Sequence, residues 1–199
     1  MSIGILNNLK NHEVILASHS PRRAQLLKQI GIHFKQVSYE WNEISKQSDE
    51  SLNDYVLQTA RHKVMFAAKH FSNGIIICAD TIVSIEQNVM GKPQNKNEAI
   101  RFLSLLSGHT HQVYTGIALL LLPLNKIVMD VGVTEVTFRS LLQSEIEDYI
   151  DNGYVYDKAG GYAIQDAGAL FVEKIEGCYY NVMGFPLTKF YNLIKELLE

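Results

Sequence analysis

The sequence lacks the features that mark several large classes of protein. Among its 199 residues, only Cys78 and Cys178 are cysteines, and they form no CxxC pair. Two distant cysteines cannot supply the disulfide framework of a small secreted protein or a cysteine-based zinc site. We therefore expect two free, buried thiols in a protein of the reducing cytoplasm.

Long hydrophobic runs and an excess of positive charge are also absent. The longest apolar stretch, "IALLLLPL", is too short to cross a bilayer, and the opening "MSIGILNNLKNHE" lacks the apolar core of a signal peptide. The formal net charge of −3 argues against a general nucleic-acid or membrane-surface binder. We therefore expect a cytoplasmic protein that binds neither nucleic acid nor membrane, and any anion site must be a local cluster of cations.

We expect one continuous domain over residues 1–199, because no repeat, low-complexity tract or linker-like stretch interrupts the sequence. Strands are predicted at 13–18, 33–39 and 75–85, with amphipathic helices between them, and two long strands joined at "PLN" form a hairpin. A strand is also predicted at "GGYAIQ". Asn53 is the predicted cap of the long helix. This order predicts an α/β protein with a mixed sheet flanked by helices.

The first chemically suggestive stretch is "ILASHSPRRAQLL", where an apolar strand passes into an amphipathic helix. A helix N-terminus carries unpaired N–H groups and a partial positive charge, which attract anions. Ser18 and Ser20 add hydroxyls, and Arg22 and Arg23 add guanidinium groups suited to phosphate. The alternative is a solvated arginine pair at an ordinary capped helix.

The second is "ADTIV", where Asp80 interrupts an apolar run. A buried carboxylate is costly unless a cation, a metal or a hydrogen-bond network compensates it. Such a group can accept a proton from water or ligate Mg²⁺. A strand-end aspartate that only caps a turn is the competing interpretation.

Two lysines and a glycine-rich loop complete the candidates. Lys92, held between glycine and proline in "GKP", can meet a phosphate as a point charge, and Lys63 falls on the apolar-leaning face of the long helix. For either lysine alone, simple solvation is the alternative. The segment "DKAGGYAIQ" offers glycines for close backbone approach and polar groups for a base or sugar pocket, among them Gln165. The P-loop and Rossmann fingerprints are absent, and "GHTH" lacks further zinc ligands.

Taken together, these clusters resemble the Maf (septum formation inhibitor) family of nucleoside triphosphate pyrophosphatases. The matching text, in the family's order, is "ASHSPRRAQLL", "KV" at 63–64, "ADTIV", "GKPQNKNEA", "LSGHTHQVYTG", "YIDNGYVYDKAGGYAIQ", "GALFVEKIEG" and "YYNVMGFP". The ordered set covers residues 14 to about 190, and the first dozen residues (1–12) form an extension without a recognised counterpart.

The resemblance implies a strongly bent mixed sheet around a central cleft, as in inosine triphosphate pyrophosphatase, and hydrolysis of nucleoside triphosphates to monophosphate and pyrophosphate. It also implies a divalent cation, Mg²⁺ or alternatively Mn²⁺, and a homodimer. Arg22, Thr81 and Gln165 resemble the branch that acts on dTTP, UTP and modified pyrimidine nucleotides. A preference for 7-methyl-GTP and a non-catalytic nucleotide-sensing regulator of septum formation are the alternatives.

The resemblance gives each candidate an expected role. Asp80 is the expected general base, and Glu43 is expected to hold the metal with Asp80. Glu43 is chosen because "WNE" places Asn42 at the other usually acidic position, with Glu40 in reserve. Thr81 and Gln165 are expected to read the pyrimidine. The residues expected to cradle the triphosphate are Ser18, Ser20, Arg22, Arg23, Lys63 and Lys92.

One further departure from the family pattern falls in the glycine-rich loop. Asp166 stands where a glycine is common, so the conformation of the turn after Gln165 does not follow from the resemblance.

Overall fold

The structure, a computed structural model, describes residues 4–40, 45–153 and 155–199. In these ranges the strands are β1 (Val14–Ala17), β2 (Lys35–Val37), β3 (Gly74–Ile85), β4 (Asn88–Met90), β5 (Thr110–Leu122), β6 (Lys126–Phe138) and β7 (Val172–Glu176). The helices are α1 (Gly4–Asn8), α2 (Pro21–Gln29), α3 (Leu52–Ala68), α4 (Lys96–Leu106), α5 (Gln143–Asn152), α6 (Tyr179–Val182) and α7 (Leu187–Leu198).

The strands form one mixed sheet in the order β2-β1-β3-β5-β6-β7, with β4 paired to β3. β1 runs parallel to β2 and β3, so that Ile15 pairs with both Lys35 and Ile76, whereas β4 and β7 pair with their neighbours in antiparallel fashion. The connection between β5 and β6 is the hairpin that "PLN" predicts. The predicted mixed sheet flanked by helices is therefore confirmed.

The start of α3 differs from the prediction. Its cap is Ser51, whose hydroxyl oxygen accepts a hydrogen bond from the Asp54 N–H at 3.1 Å and donates to the Asp54 carboxylate at 2.7 Å. Asn53 instead lies inside the first turn. The prediction of Asn53 was wrong because both residue types cap well, and the reciprocal Ser51–Asp54 pair decides between them.

The predicted strand "GGYAIQ" does not form. Residues 159–161 make a short 3₁₀ turn in which Gly160 and Gly161 have φ of +69° and +76°. A left-handed backbone is incompatible with an extended strand, and glycine adopts it at low cost. At Gly160 a Cβ would also lie 3.1 Å from the Val83 side chain, so the loop packs directly against β3.

Contacts divide the chain into two compact units. The first unit comprises residues 1–80, 115–132 and 184–199, and the second comprises residues 81–114 and 133–183. The single domain over residues 1–199 stays a prediction. Across the described ranges, no helix has both the length and the apolar character that a membrane span requires.

In the first unit, α3 packs on one face of β1, β3 and β5. The shared core consists of buried, mostly small or branched residues: Ile15, Ala60, Val64, Ala67, Ile76, Cys78, Ala118 and Leu120. Gly116 on β5 has no room for a side chain, because a Cβ there would collide with the backbone carbonyl of Val56. The helix therefore lies unusually close to the sheet.

In the second unit, aromatic side chains surround Phe138, whose ring makes edge contacts with His111, Tyr162 and Phe171 at centroid distances of 5.0, 4.8 and 5.9 Å. The His111 Nε2 lies 2.8 Å from the Tyr162 hydroxyl. Such edge-to-face packing fixes ring orientations as well as burying area. This packing anchors Tyr162, the first residue after Gly160 and Gly161.

Candidate active site

The loop between β1 and α2 gathers the first polar groups of the site. Ser20 is the cap of α2, with Pro21 at the first helical position, and its hydroxyl accepts from the Arg23 N–H at 3.4 Å. Ser18 is buried, and its hydroxyl oxygen accepts from the Ser20 N–H at 3.2 Å and from the Arg23 guanidinium at 3.3 Å. The loop is thus folded tightly around the helix start, where an anion is favoured.

Arg23 is held in place by a carbonyl from the far end of the chain. Its Nε donates to the Gly184 carbonyl oxygen at 2.9 Å, within the first unit. Burial lowers the pKa of Arg23, while the charge of Asp80 acts in the opposite direction and that of Arg22 acts with burial. Arg22, also half-buried, follows Pro21 directly at the helix start.

The centre of the first unit's polar cluster is the ion pair of Lys63 with Asp80. The Lys63 Nζ lies 2.5 Å from Asp80 Oδ1, and the two side chains are only 15% and 18% exposed. Lys63 falls on the same helical stripe as Ala60 and Ala67, which face the sheet, so the close approach of α3 directs its ammonium group to β3. The apolar-leaning position of Lys63 is thus explained by pairing, not solvation.

Burial and the neighbouring charges have opposing effects on the pKa of Lys63. Burial lowers the pKa of Lys63, whereas the charge of Asp80 and their hydrogen bond raise it, and the nearby Arg23 lowers it further. The cations Arg22, Arg23 and Lys63 outnumber the carboxylate of Asp80 around this loop. A surplus of positive charge in a half-buried site is what a polyanionic ligand requires.

Cys78 lies on β3, two residues before Asp80, and its thiol is fully buried under α3. Burial raises the pKa of Cys78 to about 12, although the charges of Lys63 and Arg23 act in the opposite direction. The thiol is therefore neutral at physiological pH, and it serves as a small core side chain beside the charged groups.

The remaining substrate-binding candidates belong to the second unit. Lys92 is exposed in the turn after β4, Thr81 is half-buried on β3, and Gln165 is exposed after the glycine turn. The turn that carries Lys92 is bound to the glycine-rich loop, because the Gly160 N–H donates to the Gly91 carbonyl oxygen at 3.0 Å. The structure thus joins the backbones of these two loops.

The predicted metal ligands are only partly described. Glu43, and Asn42 beside it, lie outside the described residues, and Glu40 is exposed. No group of three or more His, Cys, Asp or Glu side chains suited to a metal occurs within ranges 4–40, 45–153 and 155–199. Asp80 still fits Mg²⁺, because its Oδ2 takes no hydrogen bond from a described residue and Mg²⁺ commonly uses one or two carboxylates plus substrate phosphates.

Some features of the site had weak or no indication in the sequence. The Gly184 carbonyl that holds Arg23 is a backbone atom, so residue type carries no information about it. In the second unit, Lys158 is 6% exposed, and its Nζ lies 2.8 Å from Asp157 Oδ1. Burial and pairing distinguish it from a solvated loop lysine. Only its position in "DKAGG" suggested a role.

Comparison with solved structures defines the fold class. A HAM1 protein from Coxiella burnetii superposes with a TM-score of 0.56 at 17% identity, covering 93% of this chain and 99% of that one. The chain thus has the mixed α/β fold of that protein.

Comparison of sequences defines the family. The Maf-like protein family matches residues 13–197, and the chain belongs to it. It is 44% identical to the dTTP/UTP pyrophosphatase of Carboxydothermus hydrogenoformans over 186 residues, which cover 92% of this chain and 98% of that protein. It is also 44% identical to the dTTP/UTP pyrophosphatase of Dictyoglomus thermophilum, over 93% of this chain and 96% of the relative.

Proposed function

We propose that this protein is a pyrophosphatase that hydrolyses dTTP, UTP and related modified pyrimidine nucleotides to the monophosphate and pyrophosphate. The observation that carries the proposal is the half-buried Lys63–Asp80 pair beside the Ser18–Arg23 loop, in a Maf family chain whose relatives are named dTTP/UTP pyrophosphatases. The pair supplies a fixed carboxylate, and the loop supplies the cations that a triphosphate needs.

The cationic loop binds the phosphates. Helix α2 presents N–H groups at its start, and the guanidinium groups of Arg22 and Arg23 add charge and directed donors. Arg23 is fixed by Ser18 and Gly184, so little side-chain entropy is lost when phosphate binds. Ser20 and Lys63, and Lys92 from the second unit, complete the proposed cradle.

Asp80 acts on the water. One carboxylate oxygen is held by Lys63, which leaves the other to orient a water molecule and to take its proton. The water oxygen forms a bond to the α-phosphorus, and the bond between that phosphorus and the bridging oxygen to the β-phosphate breaks. The electron pair leaves with pyrophosphate, whose charge the surrounding cations stabilise.

Asp80 and Glu43 are the residues proposed to hold Mg²⁺. When bound, the ion neutralises phosphate charge and orients the substrate. Thr81 and Gln165 are proposed to hydrogen-bond the pyrimidine, because polar sites discriminate between bases better than apolar ones do. A cytoplasmic location and a homodimer are part of the same proposal.

The decisive experiment is a product screen. Purified protein with Mg²⁺ is incubated with the common and modified nucleoside triphosphates, and pyrophosphate and orthophosphate are measured separately. Release of pyrophosphate, fastest from dTTP and UTP, is the expected result. Orthophosphate without pyrophosphate means that a different bond is cut and overturns the proposal, and preference for 7-methyl-GTP overturns the substrate assignment. Nucleotide binding without any product favours the sensing regulator.

A further inference from the structure

The segment that carries Gln165 is held by a hydroxyl group on a neighbouring helix. Tyr149 on α5 is buried, and its ring packs edge-on against Phe171 at a centroid distance of 4.8 Å. Its hydroxyl oxygen accepts a hydrogen bond from the Ala163 N–H at 3.2 Å, and the same hydroxyl lies 3.2 Å from Asp166 Oδ1, to which it donates. One hydroxyl therefore bonds to both sides of the dipeptide Ile164–Gln165.

Asp166, which accepts the hydrogen bond from Tyr149, also bonds to the residues that follow it. Its carboxylate also accepts from the Gly168 N–H at 3.1 Å and so caps the 3₁₀ turn over Ala167–Phe171. Gly168 packs so tightly that a Cβ would lie 2.5 Å from the Ala163 carbonyl oxygen. The residue that departs from the family pattern thus fixes the turn after Gln165.

The Gln165 side chain itself is exposed, although its backbone is bounded by these bonds. Ile164, immediately before it, is buried and so anchors the chain on the N-terminal side of the exposed Gln165. An exposed side chain on an immobilised backbone is the arrangement that a recognition residue needs, because less conformational entropy is lost on binding.

We propose that Tyr149 and Asp166 are positioning residues that fix Gln165 for recognition of the substrate's base, an inference that rests on the proposed function. Neither residue touches the substrate. Together they restrict where the Gln165 amide can be, so that the pyrimidine is discriminated from other bases by the geometry of hydrogen bonds.

Two sets of variants test this proposal. Tyr149→Phe removes only the hydroxyl, and Tyr156→Phe, at an exposed tyrosine, is the matched control. Asp166→Ala removes both acceptor bonds, whereas Asp166→Asn keeps an Oδ1 that can accept from Gly168 and from Tyr149. The asparagine variant is therefore expected to rescue what the alanine variant loses, which also guards against a variant that fails to fold.

The first measurement is hydrogen exchange on the free protein, which needs no substrate. Faster exchange over residues 163–168 is expected in Tyr149→Phe and Asp166→Ala, with no change in Tyr156→Phe. Unchanged exchange would overturn the proposal that Tyr149 and Asp166 fix this segment, whether or not the protein is a pyrophosphatase.

The second measurement is kcat and KM for dTTP, UTP and GTP. The two disruptive variants are expected to raise KM for dTTP about threefold to tenfold, the range for one lost hydrogen bond, with kcat within about twofold and the preference for dTTP over GTP reduced. In a Gln165→Ala background the same changes should have no further effect on this preference. An effect that persists there, or an equal loss for all three nucleotides, would overturn the positioning role. Absence of pyrophosphate release by the unmodified protein would overturn the proposed function instead.

Discussion

At the scale of single residues, the contact that matters most is the one between Lys63 and Asp80. Lys63 and Asp80 are each the kind of residue that is normally solvated, yet here both are largely shielded from water. Removing one partner of such a pair leaves the other shielded without compensation. Substitutions at these positions therefore affect stability as well as chemistry, and a test must separate the two.

Asp80→Asn keeps the shape of the side chain but removes the charge and the proton-accepting group. We expect turnover of dTTP to fall about a hundredfold or more, the range for loss of a general base, while binding of a non-hydrolysable α,β-methylene analogue survives. Steady-state kinetics and titration calorimetry measure the two quantities. The matched control is Asp130→Asn, at a carboxylate that pairs with Lys189 at a distance of 2.9 Å and has no proposed role in the reaction. Turnover like that of the unmodified protein would remove Asp80 from the mechanism.

His111 is a second residue whose surroundings determine its chemistry. It is 1% exposed, its Nδ1 has no hydrogen-bond partner among the described residues, and burial lowers its pKa from 6.5 to about 4. In the unfolded chain the imidazole gains a proton near pH 6.5, but in the folded chain only near pH 4. Between these values the unfolded state binds more protons, so stability falls as the pH falls.

The predicted consequence is an acid-sensitive core. The His111 contribution to the free energy of unfolding is fully present above pH 6.5 and decreases by about 3 kcal/mol on acidification to pH 4. His111→Gln should flatten this part of the pH profile, as measured by urea unfolding between pH 7.5 and 4.5. His109→Gln, at an exposed histidine two residues earlier, is the control and should keep the slope. Equal slopes for both variants would contradict the prediction.

For the helices, the sequence predicts which segments are helical better than it predicts the residue at which each helix begins. The start of α3 depends on one hydroxyl at Ser51, whereas Asn53, an equally good capping residue type, lies within the first turn. Two neighbouring polar residues thus differ in role because only one of them is placed before the first helical residue.

Ser51→Ala should destabilise the protein by about 1 kcal/mol, because the Asp54 N–H loses its acceptor. Asn53→Ala should change stability by less than about half of that, or raise it slightly, since alanine favours the helix interior. Urea unfolding of both variants measures the difference. A larger loss from Asn53→Ala would reassign the cap to the residue that the sequence pattern favours.

At the scale of the whole molecule, the two compact units share their strands. β3, β5 and β6 each contain residues of both units, and the first unit is assembled from three separate stretches of chain. Neither unit is therefore a continuous segment that could unfold without breaking a strand of the other. One domain over residues 1–199 stays a prediction, which an unfolding experiment can test.

We accordingly expect a single cooperative unfolding transition. Pulsed hydrogen exchange at increasing urea concentrations should give the same midpoint for α3, which lies in the first unit, and α5, which lies in the second. Far-UV circular dichroism should give that midpoint as well. Separate midpoints for the two helices would show that the units unfold independently, and the single-domain prediction would then be wrong.

Much of this protein could be predicted from its amino-acid sequence, because periodicity, capping chemistry and motif order are local properties. The strand-to-helix corner with Ser18, Ser20, Arg22 and Arg23, the mixed sheet, and the family were all predicted from it. The prediction of a strand at "GGYAIQ" was wrong, because the pattern of side chains does not show that two successive glycines adopt a left-handed backbone.

Which distant groups come into contact follows from the packing of the folded chain. The pairing of Lys63 with Asp80 depends on how closely α3 packs on the sheet, and the anchoring of Arg23 depends on a backbone carbonyl at Gly184. The hydrogen bonds of Tyr149 with Ala163 and Asp166 likewise join α5 to a separate loop. Such contacts are set by the packing of whole elements against one another, and no local preference of the chain encodes them.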